Sequence, residues 1–364
     1  VDIIDNVTKQ TAQPLVGIQG LRALAAICVM TRHWNDFTYG WLLPQNQIDV
    51  DVFFAAEGFI AASVLGLGQA GARFWPALGR HLLKVYPVYL IGLLAGVILA
   101  MPFGVPLPLA GPQPWSRPIM EQAALLNAAL LPTFLGPGTG VFSFNLASWA
   151  IVIEIYAYVL MIALRRWLSL SVLIAIVAAG ALGYLSSYVL LHDVNLGYMT
   201  THYWAAYPRV IFGFFGGALL YSVIQRFGPI LPRLNPLVPW AAFIAVQFVQ
   251  YHKLPVPLVF IGVPAIVWLS AVSTDPKGLR AVARQGGVLA YGIYLLCIPT
   301  VTAFHAAADH YGVPKSVLHG PLSYLLQSAV VILFAYIARR FVEEPLRGGV
   351  DEYLAGKAAV EEAA

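Results

Sequence analysis

The chain has 364 residues, 59% of them hydrophobic and 10% charged, with a formal net charge of +4. A soluble domain carries about 25% charged residues, so this composition is that of a polytopic membrane protein, read as one domain over residues 1–364 with no separate soluble domain. The basic residues are spread over many short loops, which excludes a nucleic-acid interface as the source of the charge.

A membrane-spanning helix needs about 20 apolar residues. In chain order the apolar segments are 16–34, 50–67, 82–101, 119–135, 146–164, 168–191, 203–224, 237–251, 256–273, 286–306 and 321–341. The first carries Arg22, Arg32 and His33 and lacks a small-residue cleavage site, so no signal peptide is expected. Segment 119–135 is short, contains Glu121 and Asn127, and lies between the Pro-rich stretch 102–118 and the turn Gly136-Pro-Gly-Thr-Gly140. Lys and Arg collect on the cytoplasmic side. The basic clusters Arg73/Arg80/Lys84, Arg165/Arg166, Arg226/Arg233, Lys277/Arg280/Arg284 and Arg339/Arg340/Arg347 alternate with loops poor in Lys and Arg only if 119–135 does not cross. The expected fold is therefore an all-α membrane protein of about ten spans, with both termini cytoplasmic and a re-entrant or surface helix near 119–135. No internal repeat of the kind found in many transporters is visible. Cys28 and Cys297 fall within apolar stretches and read as buried thiols.

Ionisable groups inside a span are costly and mark function by default. Arg22 and His33 are eleven residues apart, which is three helical turns plus roughly 20°, so they share a face about 16 Å apart along the axis. Arginine stays charged when buried and offers fixed donors to phosphate or carboxylate, and histidine accepts a hydroxyl proton near neutral pH. The blander reading is that Arg22 snorkels to the interface and His33 caps a helix end. Asp51 and Glu57 lie at the start and middle of the second segment, and Glu154 lies mid-way through the fifth, followed by Tyr156 and Tyr158. Glu57 needs an arginine such as Arg22 or Arg209, or a proton, and Glu154 likewise needs a partner or a proton. Arg80 and Lys84 are four residues apart with His81 beside them, which is either an anion clamp or ordinary positive-inside flanking. Glu343 and Glu344 are expected to pair with nearby arginines. No GxSxG elbow, Walker loop, HExxH helix or CxxC pair is present, and no metal site is expected.

Six motifs follow one another along the chain: Gly20-LRALAAICVMTRH, Asp49-VDVFFAAEGF, Arg80-HLLKVYP, Ser148-WAIVIE, Tyr291-GIYLLCIP and Glu343-EP. Together they resemble the acyltransferase 3 family of integral membrane acyltransferases, in the family's order and over essentially the whole chain. The Arg22…His33 spacing in the first span is the most specific of these marks. The chain departs from the pattern at Glu57, where the family usually has Ser. It also departs at His81-LLK84, where Arg-x-x-Arg is common, at Ala150 in place of Ser, and at Cys297 in place of His. The resemblance implies a stand-alone O-acyltransferase, usually an O-acetyltransferase, of the plasma (inner) membrane. It implies no tightly bound cofactor. The donor is cytoplasmic acetyl-CoA or another acyl-CoA, and the acceptor is a hydroxyl of an envelope glycan or lipid-linked saccharide. His33 is then the expected catalytic residue, with Glu154 or Asp51 orienting its imidazole. Arg22, Arg80, His81 and Lys84 serve the donor, and Glu57, Arg209 and Tyr156 complete the candidate substrate-binding set. A buried Glu57 either recognises an unusual acceptor or repels a carboxylated acyl group such as succinyl. Besides acyl-CoA and the acceptor, the only partner expected is membrane lipid. The rival from another class is a proton- or anion-coupled transporter or flippase, with Arg22, His33, Glu57, Glu154 and Arg209 as the relay.

Overall fold

Each of the eleven apolar segments coincides with a helix in the computed structural model, which describes residues 15–36, 43, 46–67, 74–101, 103–105, 115–229, 233–249, 254–274 and 278–349. Arg73 and Lys277, used above to read loop charge, lie outside the described residues. The helices are α1 (Leu15–Asp36), α2 (Asp49–Leu65), α3 (Phe74–Ala100), α4 (Arg117–Ala128), α5 (Ser148–Leu164), α6 (Leu170–Leu191), α7 (Ala206–Phe227), α8 (Leu237–Gln247), α9 (Pro255–Ala271), α10 (Arg280–His310) and α11 (Pro321–Gly349). No strand occurs among the described residues, only an isolated bridge between Gly140 and Met199. Five helices, α3, α6, α7 with its leading turn, α10 and α11, are long and apolar enough to cross a membrane. The sequence-based figure of about ten also counted shorter pieces: α5 and α2 have 17 residues each and α8 has 11.

Local chemistry sets the helix ends. Gly66 closes α2 in the left-handed region, with φ 62°. Ser169 caps α6 by accepting from the Val172 N–H at 3.3 Å. In α9 the prolines at 255, 257 and 264 remove backbone donors, and the ladder shifts to a π turn over Leu258–Gly262. The twelve-residue α4 spans about 18 Å, too short to cross. Its C-terminal carbonyls are taken by tyrosines of two neighbours. Tyr86 and Tyr89 of α3 donate to Ala128 and Asn127, and Tyr156 of α5 donates to Leu130. These are the groups a helix end leaves without a partner.

The core is α10 with α1, α2 and α7 around it. α10 packs chiefly on α1, α11 and α3, while α2 packs on α7 and α1. In its apolar window α10 is 78% buried, whereas α6 and α11 are 22% buried. The outer faces of α6 and α11 carry Leu182, Leu190, Leu325 and Leu333, all exposed, as expected where lipid is the solvent.

The α2–α7 crossing depends on glycine. A Cβ on Gly58 would stand 1.8 Å from the Phe214 carbonyl oxygen, and one on Gly217 would stand 1.9 Å from that of Ala55. The two backbones therefore touch, as small residues allow in membranes. Gly217→Val is expected to force the pair apart at a cost of about 1–3 kcal/mol. In detergent it should lower the thermal midpoint, and Gly216→Val on the same helix, where a Cβ meets nothing within 4 Å, should not.

Candidate active site

Five helices converge on a buried polar cluster. α1 brings Arg22, α2 brings Glu57 and Phe53, α3 brings His81 and Lys84, α5 brings Glu154 and Tyr158, and α10 brings Tyr291. Arg22 is 1% exposed and Glu57 3%. Arg22 Nη2 is in contact with Glu57 Oε1, and Lys84 Nζ lies 3.6 Å from the other oxygen. Arg22 Nη1 donates to Gln19 Oε1 at 2.8 Å. The guanidinium lies over the rings of Tyr291 and Phe53 at 5.3 and 5.6 Å, and Lys84 Nζ lies 4.7 Å from the Tyr291 centroid. Such cation–π contacts strengthen when desolvated.

Glu154 completes the cluster. The Tyr291 hydroxyl lies 2.8 and 3.0 Å from its two oxygens and donates to them. His81 stacks on Tyr158 with centroids 3.8 Å apart and planes 12° apart. Its Nε2 is 3.7 Å from Glu154, beyond hydrogen-bond distance. The cluster sets two basic side chains, Arg22 and Lys84, against two carboxyl groups, Glu57 and Glu154, so opposite charges meet where water is scarce.

A second buried pair lies towards the other end of α2. Arg209 donates from Nε and Nη2 to the two oxygens of Asp51, both at 2.9 Å. Its remaining donors reach the carbonyls of Leu196 (2.8 Å) and Gln47 (3.0 Å). Trp149 and Tyr184 flank the guanidinium. This is a bidentate pair with every donor group engaged. The loop that supplies Leu196 is closed by the Gly197 N–H donating to His202 Nδ1 at 2.9 Å. Burial lowers the pKa of His202, in keeping with a ring nitrogen that must stay unprotonated to accept.

The structure thus separates the candidate residues. Arg22, Glu57, His81, Lys84 and Glu154 come together, and of the two arginines weighed for Glu57 it is Arg22 that pairs. Arg209 and Asp51 form their own pair. Tyr156 points away and clamps Leu130, because residues i and i+2 of a helix face opposite sides. Arg80 is exposed. Half-buried His33 lies three turns along α1 from Arg22, at the end where Thr31 shares a 2.7 Å hydrogen bond with Tyr324 and Trp34 packs on the Tyr324 ring. Glu154, bound to Tyr291, belongs to the Arg22 end and not to the His33 end. Asp49, the residue opening α2, accepts from Gln247 Nε2 at one oxygen. Glu344 pairs with Arg339 and Arg340. A search confined to charged residues passes over Tyr291 and Tyr158, although Tyr291 opens one of the six motifs. No group of three or more metal-ligating side chains occurs among the described residues.

A family model described as an acyltransferase domain matches residues 15–340. The chain belongs to the acyltransferase 3 family. The match begins in α1, ahead of Arg22, and ends in α11, so it takes in every residue of the buried cluster. No curated protein and no solved structure matches the chain. The protein is therefore a membrane acyltransferase by family and by its apolar helices.

The geometry gives Asp51 a structural role that can be tested apart from catalysis. Arg209→Met leaves an uncompensated buried carboxylate and should cost about 3–5 kcal/mol. The double variant Arg209→Met/Asp51→Asn should recover most of that loss in thermal unfolding. A double variant no more stable than Arg209→Met would show that the pair is not the unit of stability.

Proposed function

We propose that this protein is an O-acyltransferase, most simply an O-acetyltransferase, that moves an acyl group from cytoplasmic acetyl-CoA to a hydroxyl of an envelope or extracellular glycan, free or lipid-linked. It works in the plasma membrane with both termini in the cytoplasm. The observation that carries the reading is the arrangement of α1. This one helix holds a buried, charged Arg22 inside a five-helix cluster and His33 three turns away near its end, in a chain of the acyltransferase 3 family.

The chemistry follows from the two ends. Arg80 and Lys84, four residues apart at the start of α3, offer cations to the phosphates of CoA. The flexible pantetheine arm then carries the thioester inward, past Arg22. His33 takes the proton of the acceptor hydroxyl. The alkoxide oxygen bonds to the thioester carbonyl carbon, the C–S bond breaks, and the CoA sulfur leaves with the proton His33 held. If His33 first takes the acyl group, its ring nitrogen bonds to the carbonyl carbon as the C–S bond breaks and CoA leaves as the thiol with the ring proton; the acceptor oxygen then bonds to that carbon, the N–C bond breaks, and the hydroxyl proton passes to the imidazole. Glu154 and Asp51 act here by positioning helices, since their oxygens are engaged by Tyr291 and Arg209. Tyr156 and Arg209 likewise support the frame.

The test is reconstitution in liposomes with labelled acetyl-CoA, following CoA release and protein-bound label together, in the wild type and in His33→Ala. Loss of a general base costs about 10²–10⁴-fold, so release should fall by at least that lower figure in the variant. Release that survives His33→Ala undiminished would remove His33 from the chemistry.

A further inference from the structure

We infer that Glu57 sets the acyl-group specificity of this site, admitting neutral acyl groups and excluding carboxylated ones such as a succinyl thioester. The inference rests on the acyltransferase reading above and adds the substrate class to it. Arg22 and Lys84 by themselves make an anion site. A forked guanidinium and an ammonium converge from two helices over the face of Tyr291, with little water to compete. Glu57 fills that site. One of its oxygens contacts Arg22 and the other faces Lys84 at 3.6 Å.

An incoming terminal carboxylate would have to displace a carboxylate already tethered in place, against its high effective concentration. Glu154 in the same cluster offers it no donor, since its two oxygens already accept from Tyr291, and an anion left without a partner in a desolvated site is strongly disfavoured. An acetyl or propionyl group brings no charge and leaves both pairs intact. Glu57 has little freedom to withdraw. It is 3% exposed, and the next residue, Gly58, lies flush against the Phe214 backbone of α7. Lys84, with 27% of its side chain exposed, marks the side from which a donor reaches the cluster.

The experiment is CoA release by the purified full chain in nanodiscs from acetyl-CoA, propionyl-CoA and succinyl-CoA, comparing wild type, Glu57→Gln and Glu57→Asp. The wild type should use the two neutral donors at least about tenfold faster than succinyl-CoA. Glu57→Gln should raise the succinyl-to-acetyl ratio at least about tenfold, and Glu57→Asp, which keeps the charge, should hold the wild-type order. The ratio is taken within each protein, so a loss of folded material cancels, and the wild-type order needs no variant. A wild type that uses succinyl-CoA as fast as acetyl-CoA, or a Glu57→Gln ratio equal to that of the wild type, overturns the role of Glu57 while leaving the acyltransferase reading standing. No CoA released from any of the three donors by the wild type overturns that reading, and this inference with it.

Discussion

A guanidinium inside a membrane helix does not lose its charge, so the helices around Arg22 must answer it. The response is distributed. α2 supplies the counter-charge, α10 and α2 supply aromatic faces, and α1 itself supplies Gln19. Lys84 adds a second cation, and Glu57 serves both. Removing Glu57 would leave Arg22 a buried charge whose uncompensated cost exceeds most packing terms in the fold. The positions of α1, α2, α3 and α10 relative to one another are therefore tied to this cluster as much as to apolar contact.

Arg22 and Arg209 are the most deeply buried arginines among the described residues, and the contrast between them separates architecture from site. Arg209 has each of its donor groups engaged by Asp51 or a backbone carbonyl. Nothing is left over for a ligand, and the pair fixes α7 against α2 and the loop after α6. Arg22 is less completely satisfied. Its Nη2 is taken up by Glu57 and its Nη1 by Gln19, but its Nε lacks a hydrogen bond, and so does the Nε2 of neighbouring His81. Buried polar groups are seldom left so. A cluster in which opposite charges meet but hydrogen bonds are few is stable enough to fold and keeps Arg22 Nε as a donor not yet engaged.

Much of the architecture was legible in the sequence because apolar length is a one-dimensional property. All eleven segments are helices, and the Pro-rich and Gly-rich flanks of 119–135 correctly foretold a piece too short to cross. What was not legible is contact between helices distant in sequence. Asp51 and Arg209 are 158 residues apart, and Glu154 and Tyr291 are 137 apart. No periodicity or spacing states that Asp51 meets Arg209 and Glu57 meets Arg22, when either carboxylate had two arginines to choose from. Tyr156 misled for a local reason. Adjacency to Glu154 along the chain suggested a shared site, whereas the helical twist sends its hydroxyl to the end of α4. The figure of about ten spans includes short buried helices such as α8, which hydropathy windows extend into their apolar flanks.

In the proposed function, donor chemistry and acceptor chemistry share one helix without sharing one pocket. Three turns of α1 put about 16 Å between Arg22 and His33, roughly half of the hydrocarbon thickness. Over that distance the groups cannot act on each other, and each keeps its own surroundings. The Arg22 end is dry, ionic and braced by five helices. The His33 end is half-buried and is held by Thr31 and Trp34 against Tyr324. A reactant that reaches from one end to the other must be long, thin and able to leave its charge behind. In the proposed reaction a thioester on an extended neutral arm meets all three demands, while its phosphates stay with the cations at the entrance. That physical match, more than any single side chain, is what the proposal of an acyl-CoA donor rests on.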